Sequence, residues 1–248
     1  MQTVVQAILD SGLGDRVICE QQLARLVEGS AQRRYNLVNR ALKAGELVRL
    51  RRGRYLLARR WRTKPGHPFA LAQALRPGCY VSFETALSFH GWIPETTPLT
   101  ACVTPERKSS ETLHPSFGLF QFSPLAINEG FFLEGVDRLI LDDQTALVAQ
   151  PLRALLDIVC RRKLAWRGRG WLVDGLRIDS DILDTLQRDH LQTLQAVYKH
   201  NPMRDFITAL DKELGQSRAQ THGKAGNRHS PTGRLQLQLP LSRLSTGF

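Results

Sequence analysis

The chain has 248 residues, is 42% hydrophobic and carries 34 Lys and Arg against 23 Asp and Glu, a net charge of +11. This length and composition suit two domains with buried cores plus extensions, and exclude a fibrous chain. No run of about 18 apolar residues exists to span a bilayer, MQTVVQAILDSGLGD lacks the build of a signal peptide, and Cys19, Cys79, Cys102 and Cys160 have no CxxC or Cys/His spacing; a cytoplasmic protein with no membrane partner, no disulfide framework and no zinc site is expected.

The charge is uneven along the chain. Residues 1–60 hold 12 Lys/Arg against 5 Asp/Glu, residues 61–164 hold 10 against 10, and residues 165–214 hold 7 against 8. Residues 215–248 hold 5 basic residues and no acid. A cationic segment beside a neutral remainder fits a polyanion-binding module joined to a part with another task.

In chain order, residues 2–10 and 20–28 have apolar positions at helical spacing and stop near Gly12 and Gly29. Ser30 is a good N-cap for a third helix, SAQRRYNLVNRALKAG, which closes at Gly45. Spacings of three and four give it a core stripe of Ala31, Tyr35, Val38, Ala41 and Leu42, and put Gln32, Arg33, Asn36, Arg40 and Lys43 on the opposite face. LVRLRRGRYLLA, residues 47–58, then reads as a hairpin turning at Arg52-Gly53. Alternation sets Val48, Leu50, Tyr55 and Leu57 on one face and Arg49, Arg51 and Arg54 on the other. Arg51 and Arg54 stand directly opposite, where like charges repel and an anion between them would relieve the repulsion.

Helix, helix, glycine turn, helix, basic hairpin is the order of a winged helix-turn-helix over residues 1–60. On this reading double-stranded DNA is the partner. Gln32, Arg33, Asn36, Arg40 and Lys43, with Ser30 at the helix start, face the major groove, and Arg49, Arg51, Arg52 and Arg54 meet phosphates. The bland alternative is a solvated helix face beside a hairpin whose arginines only protect an edge.

Residues 59–68 (RRWRTKPGHP) break all periodicity, with 61–68 read as a linker. A mixed α/β domain over 69–164 follows. FALAQALRPG is one helix, and YVSFETALSFHGWIPE is a second, capped by Ser82 and stopped at Gly91. Strands are expected at 99–104, 117–122 and 136–141, the second with Phe117, Leu119 and Gln121 on one side. PLRALLDIVCRRK is a helix with Pro151 in its first turn and Arg161, Arg162 and Lys163 at its negative end. Residues 165–215 form a helical C-terminal part. One helix there, DSDILDTLQRDHLQTLQAVYKH, buries Ile182, Leu183, Leu186, Leu194 and Val197, and a last one starting at Asn201-Pro202 ends at Gly215. Residues 216–248 have the composition of a disordered basic tail. The fold class is α+β: a winged helix-turn-helix, then a mixed α/β domain with a helical end.

Four stretches, GELVRLRRGRYLLA, YVSFETALSFHGWIPE, QPLRALLDIV and YKHNPMRDFITAL, resemble the AbiEi-type antitoxins of bacterial type IV toxin–antitoxin systems. The likeness extends over residues 1 to about 214, without the tail. It implies an N-terminal winged helix that represses its own promoter at inverted repeats. It also implies an antitoxin domain that neutralises a cognate nucleotidyltransferase toxin of the AbiEii kind, functionally if not by stable binding.

Catalytic signatures are scarce. The seven histidines show no HxxxH or HxxE spacing, and neither a glycine-rich phosphate loop nor GxSxG occurs. His90, at a helix end, suits a structural role. Asp142 and Asp143, with Glu84, form a nuclease-like alternative, and a turn explains the two aspartates equally well. No catalytic residue, metal or cofactor is expected. The competing readings are a regulator whose α/β domain senses a ligand and a metal-dependent nuclease.

Overall fold

The computed structural model describes residues 3–225, with side chains described through residue 215. Helix α1 (Val4–Asp10) begins where the Thr3 hydroxyl accepts the Gln6 N–H at 3.1 Å. Strand β1 (Ile18–Cys19) leads into α2 (Glu20–Leu26). Helix α3 (Ala31–Lys43) starts on Ser30, whose hydroxyl accepts the Arg33 N–H at 3.2 Å. It ends at Gly45, φ +62°, where the Gly45 and Glu46 N–H groups return to the carbonyls of Leu42 and Ala41. Strands β2 (Leu47–Arg51) and β3 (Arg54–Leu57) form the hairpin, and β1 joins β3 to give an antiparallel sheet of order β1-β3-β2. Val4, Val5, Ile8, Ile18, Leu23, Leu37, Val38, Ala41, Leu47 and Leu57 fill the core of this unit.

Two expectations are corrected here. Helix α3 buries Leu37, Val38 and Ala41, whereas Ala31 is exposed and Tyr35 is 64% exposed. Leucine hides without penalty, while a buried phenol needs a partner for its hydroxyl. In the hairpin, a bulge at Leu50 separates the pairs Arg49–Tyr55 and Arg51–Arg54. The extra residue slips the register by one and exchanges the faces. Arg49 therefore shares a face with Tyr55, and Val48 pairs with Leu56 on the other. Leu50 and Leu56 are buried in the core of the second unit.

That unit comprises α4 (Pro68–Leu75), β4 (Tyr80–Val81), α5 (Phe83–Phe89), β5 (Leu99–Val103), β6 (Ser110–His114), β7 (Gly118–Ser123), β8 (Val136–Leu141), β9 (Gln144–Ala149) and α6 (Pro151–Arg162). Its sheet runs β6-β7-β5-β4-β9-β8, with β5–β7 and β4–β9 parallel and the other pairs antiparallel. Strand β7 keeps Leu119 and Gln121 on one side, as the alternation expected, and buries Phe120 and Phe122 on the other, because two phenyl rings bury more apolar area. Helix α6 is buried almost throughout, since the sheet unit covers one side and the C-terminal helices α8 (Arg188–Gln195) and α9 (Asn201–Ala225) cover another.

The single helix expected over 179–200 is two, α7 (Ser180–Asp184) and α8, and the break brings Leu191 into the core beside Leu183, Leu186, Leu194 and Val197. Gly215 does not stop α9, which runs on to Ala225; one glycine costs a helix about 1 kcal/mol, too little to end it alone. Residues 216–225, assigned to the disordered tail by composition, thus belong to α9, while LQLQLPL lies outside the described residues.

Residues 61–68, expected as a linker, are tied down. The Lys64 N–H donates to Asp15 at 3.0 Å, the Thr63 hydroxyl donates to the same carboxylate, and the Lys64 ammonium pairs with Asp143. Arg62 is buried, donates to the carbonyls of Lys64 and Pro65 and lies over the Phe117 ring. Gln144 bridges the units, accepting from the Val17 N–H at 3.1 Å and donating to the Asp15 carbonyl at 3.0 Å.

Candidate nucleic-acid interface

Helix α3 presents Gln32, Arg33, Asn36, Arg40 and Lys43 to solvent. Once Leu37, Val38 and Ala41 define the inward side, the helical period sets the outward stripe at Gln32, Asn36, Asn39 and Lys43. Asn39 is a residue the sequence reading missed. The Gln32 amide donates to Asn36 Oδ1 at 3.2 Å, so the two side chains hold each other along the stripe. Arg33 lies at the rim, its stem folded over Gly29 so closely that a Cβ there would fall 2.9 Å from Arg33 Cδ. Ser30 is engaged as the cap.

The hairpin arginines divide. Arg49 and Arg52 are exposed and, with Arg34, Tyr35, Asn39 and Tyr55, line a groove of about 400 Å³ between α2, α3 and the hairpin. Arg51 and Arg54 are half-buried and face each other across the strand pair, as expected. The Arg51 Nε is buried without a hydrogen-bond partner. Arg54 lines a different cleft, with Arg16, Gln73 and Asp143, between the two units. It also acts on Cys19: burial raises that thiol, but the N–H groups of Gln22 and Gln21 and the Arg54 guanidinium bring it below its ordinary value. The single cationic face expected of the hairpin is therefore two surfaces, because the Leu50 bulge turns the strand.

Charge pairing separates the units. Lys64–Asp143, Arg76–Glu106, Arg153–Asp157, Arg161 and Arg162 with Glu84, Arg169–Asp184, Arg177–Glu95 and Arg188–Asp211 are all ion pairs. Among the described residues none of the twelve Lys and Arg of residues 1–60 joins one. Five acids lie in that segment, too few to neutralise it.

The residues weighed for catalysis are dispersed. Asp142 and Asp143 are the two-residue β8–β9 turn, at φ +49° and +59°, a conformation aspartate tolerates better than most. Glu84 is held by Arg161 and Arg162 at another place. Among the described residues no group of three or more His, Cys, Asp and Glu is arranged to hold a metal ion. His90 Nε2 is 3.0 Å from the Ala149 carbonyl, a structural contact.

The polar cluster that sequence reasoning missed is buried. Asp157 Oδ2 accepts from Tyr80 at 3.0 Å and Ser82 at 2.7 Å, and its Oδ1 accepts from Tyr198 at 2.7 Å and Arg153 Nε at 3.0 Å. Ser82 precedes α5 as expected but caps nothing, because its hydroxyl serves Asp157. Burial and the Asp157 charge push the Tyr80 and Tyr198 phenols well above their ordinary value, which keeps both as donors. The available signal was an Arg and an Asp four apart in the otherwise apolar stretch 152–160 of α6. Three of the four stretches that carry the family resemblance meet here, in Tyr80 and Ser82, in Arg153 and Asp157, and in Tyr198.

Among the described residues no helix is long and apolar enough to cross a membrane. No protein-family model and no curated protein matches the chain. The crystal structure of the RV2827C protein from Mycobacterium tuberculosis is similar, with a TM-score of 0.51 and 16% identity over 94% of this chain and 84% of that one, a likeness of fold alone.

Proposed function

We propose that the chain is a cytoplasmic winged-helix DNA-binding antitoxin, which represses its own operon and counters a cognate AbiEii-like nucleotidyltransferase toxin. The observation that carries the DNA-binding half is the unpaired charge of the first unit. Guanidinium groups left without carboxylates beside an outward helix stripe of amides suit a polyanion whose grooves display donors and acceptors. On this reading Gln32, Asn36, Asn39 and Lys43 face base edges, with Arg33 and Arg40 on the flanks, while Arg49 and Arg52 meet phosphates. The half-buried Arg51 and Arg54 flank the hairpin's turn.

The antitoxin half rests on the four stretches of resemblance. Its test is co-expression: the toxicity of a neighbouring nucleotidyltransferase gene should disappear when this chain is present, and undiminished toxicity would remove the antitoxin role. The repressor role is tested by footprinting the chain's own promoter. Asn36→Ala should weaken binding to that site by about 1–3 kcal/mol and erase sequence preference. An equal loss on unrelated DNA would reassign Asn36 to phosphate.

A ligand-sensing regulator is the second reading, favoured by the cleft of about 370 Å³ that Arg16, Arg54, Gln73 and Asp143 line between the units. Full relief of toxicity by a chain carrying Arg16→Ala and Gln73→Ala would count against it.

A further inference from the structure

We propose that the groove between α3 and the hairpin is a seat for one backbone phosphate of duplex DNA, which fixes the register of the helix on the duplex. The inference rests on the DNA-binding reading above and gives roles to Arg34, Tyr35 and Tyr55, which that reading leaves unused.

Three guanidinium groups, Arg34, Arg49 and Arg52, line the groove against one carboxylate, Glu20. Arg34 is already oriented, since its Nη1 donates to the Gly29 carbonyl at 2.6 Å and its remaining donors are uncommitted. Among the described residues, the side chains of Tyr35, Asn39, Arg49, Arg52 and Tyr55 make no hydrogen bond or ion pair. The floor is apolar, formed by Leu23, Ala24, Val38 and Leu42. Low-polarity walls concentrate the field of the charges above them.

The walls are also fixed. Leu47 and Leu57 anchor the hairpin under the helices, and Leu50 and Leu56 anchor it in the larger core. An anion would enter without moving this backbone, so the ordering cost of binding is confined to the exposed side chains of Tyr35, Arg49 and Arg52. Asn39 belongs both to the groove's lining and to the outward stripe of Gln32, Asn36, Asn39 and Lys43, so an anion seated there lies next to the bases the stripe faces. Glu20 opposes it from the hairpin tip, where its Oε2 lies 3.3 Å from the place a Gly53 Cβ would take.

The test uses the full chain, fluorescence anisotropy and two duplexes, its own promoter and a scrambled sequence. Tyr35→Phe, a change at an exposed hydroxyl, should weaken both duplexes roughly three- to tenfold, the range of one hydrogen bond. Glu20→Gln should tighten both by about fivefold, the effect of removing one like charge in a wet site. Replacing backbone phosphates singly by neutral methylphosphonate should reveal one position per half-site whose loss costs the wild type severalfold and Tyr35→Phe much less. Unchanged affinity in Tyr35→Phe and Glu20→Gln, with Asn36→Ala still weakened, would overturn the seat and leave the DNA reading standing. No binding of the wild type to either duplex would overturn both. Inorganic phosphate that binds through Tyr35 without displacing the duplex would assign the groove to a free anion and overturn the proposal.

Discussion

Among the described residues, the twelve cations of residues 1–60 stand with no ion pair, whereas in the layer built on α6 to α9 Arg153, Arg161, Arg162, Arg169 and Arg188 each rest on a carboxylate. The two regions carry the same residue types in opposite circumstances. Where arginine is paired it helps to specify the fold, most deeply at Arg153, which lies wholly buried between Asp157, Tyr80 and Tyr198. Where it is unpaired it adds repulsion that only an external anion relieves. Charge in one region is therefore internal architecture, and in the other it is left without a carboxylate among the described residues.

The largest effect that would sharpen this contrast is at Asp157. Asp157→Ala strands a buried guanidinium and three hydroxyls, and should cost about 3–5 kcal/mol of stability in urea unfolding. Arg40→Ala on the exposed face of α3 should stay within about 0.5 kcal/mol. A loss under about 1 kcal/mol at Asp157, against the usual cost of breaking a buried pair, would show that the network is not needed to hold α6.

Next is Leu56→Ala. The residue is fully buried in the larger core although it belongs to the hairpin, so about 2–5 kcal/mol should be lost in a single transition covering the whole described chain. Two transitions, with only the first unit destabilised, would show that the units are not welded through the hairpin.

A smaller effect concerns acid. Burial lowers His67 and His114 below their ordinary value of 6.5, and each ring accepts a backbone N–H at 3.2 Å, from Phe69 and Ser116. Both must be neutral to accept. Their contribution is therefore complete above the unfolded-state value and is lost as the pH falls through the lower folded-state values. Thermal midpoints should drop below pH 6.5, and His67→Asn, which can still cap α4, should flatten that dependence. An identical profile in the variant would exclude His67 as a source.

The fold was legible where local rules act alone. The Ser30 cap, the Gly45 stop, Pro151 at the start of α6 and the longer strands follow from residue type and spacing. Strand β4, two residues long, β6, rich in polar residues, and β9 were not read, because their strand character comes from neighbours across the sheet. The outward face of α3 was mostly legible. Its Asn39, and the division of the hairpin arginines, depended on which residues the tertiary contacts chose to bury. One bulge at Leu50 changed the whole face assignment, and nothing in LVRLRRGRYLLA marks it. The Asp157 cluster joins residues 77 and 41 positions apart, beyond the reach of any local pattern.

The most direct test of the unpaired surface as a nucleic-acid contact is the salt dependence of duplex binding by the full chain. Each phosphate neutralised in B-DNA contributes about −0.9 to the slope of log affinity against log salt. The wild type should bind its promoter duplex at low ionic strength with a slope of several such increments, and Arg52→Ala should reduce the slope by about one. A flat dependence, or no association with any duplex at low salt, would contradict the proposal that these arginines await a phosphate backbone.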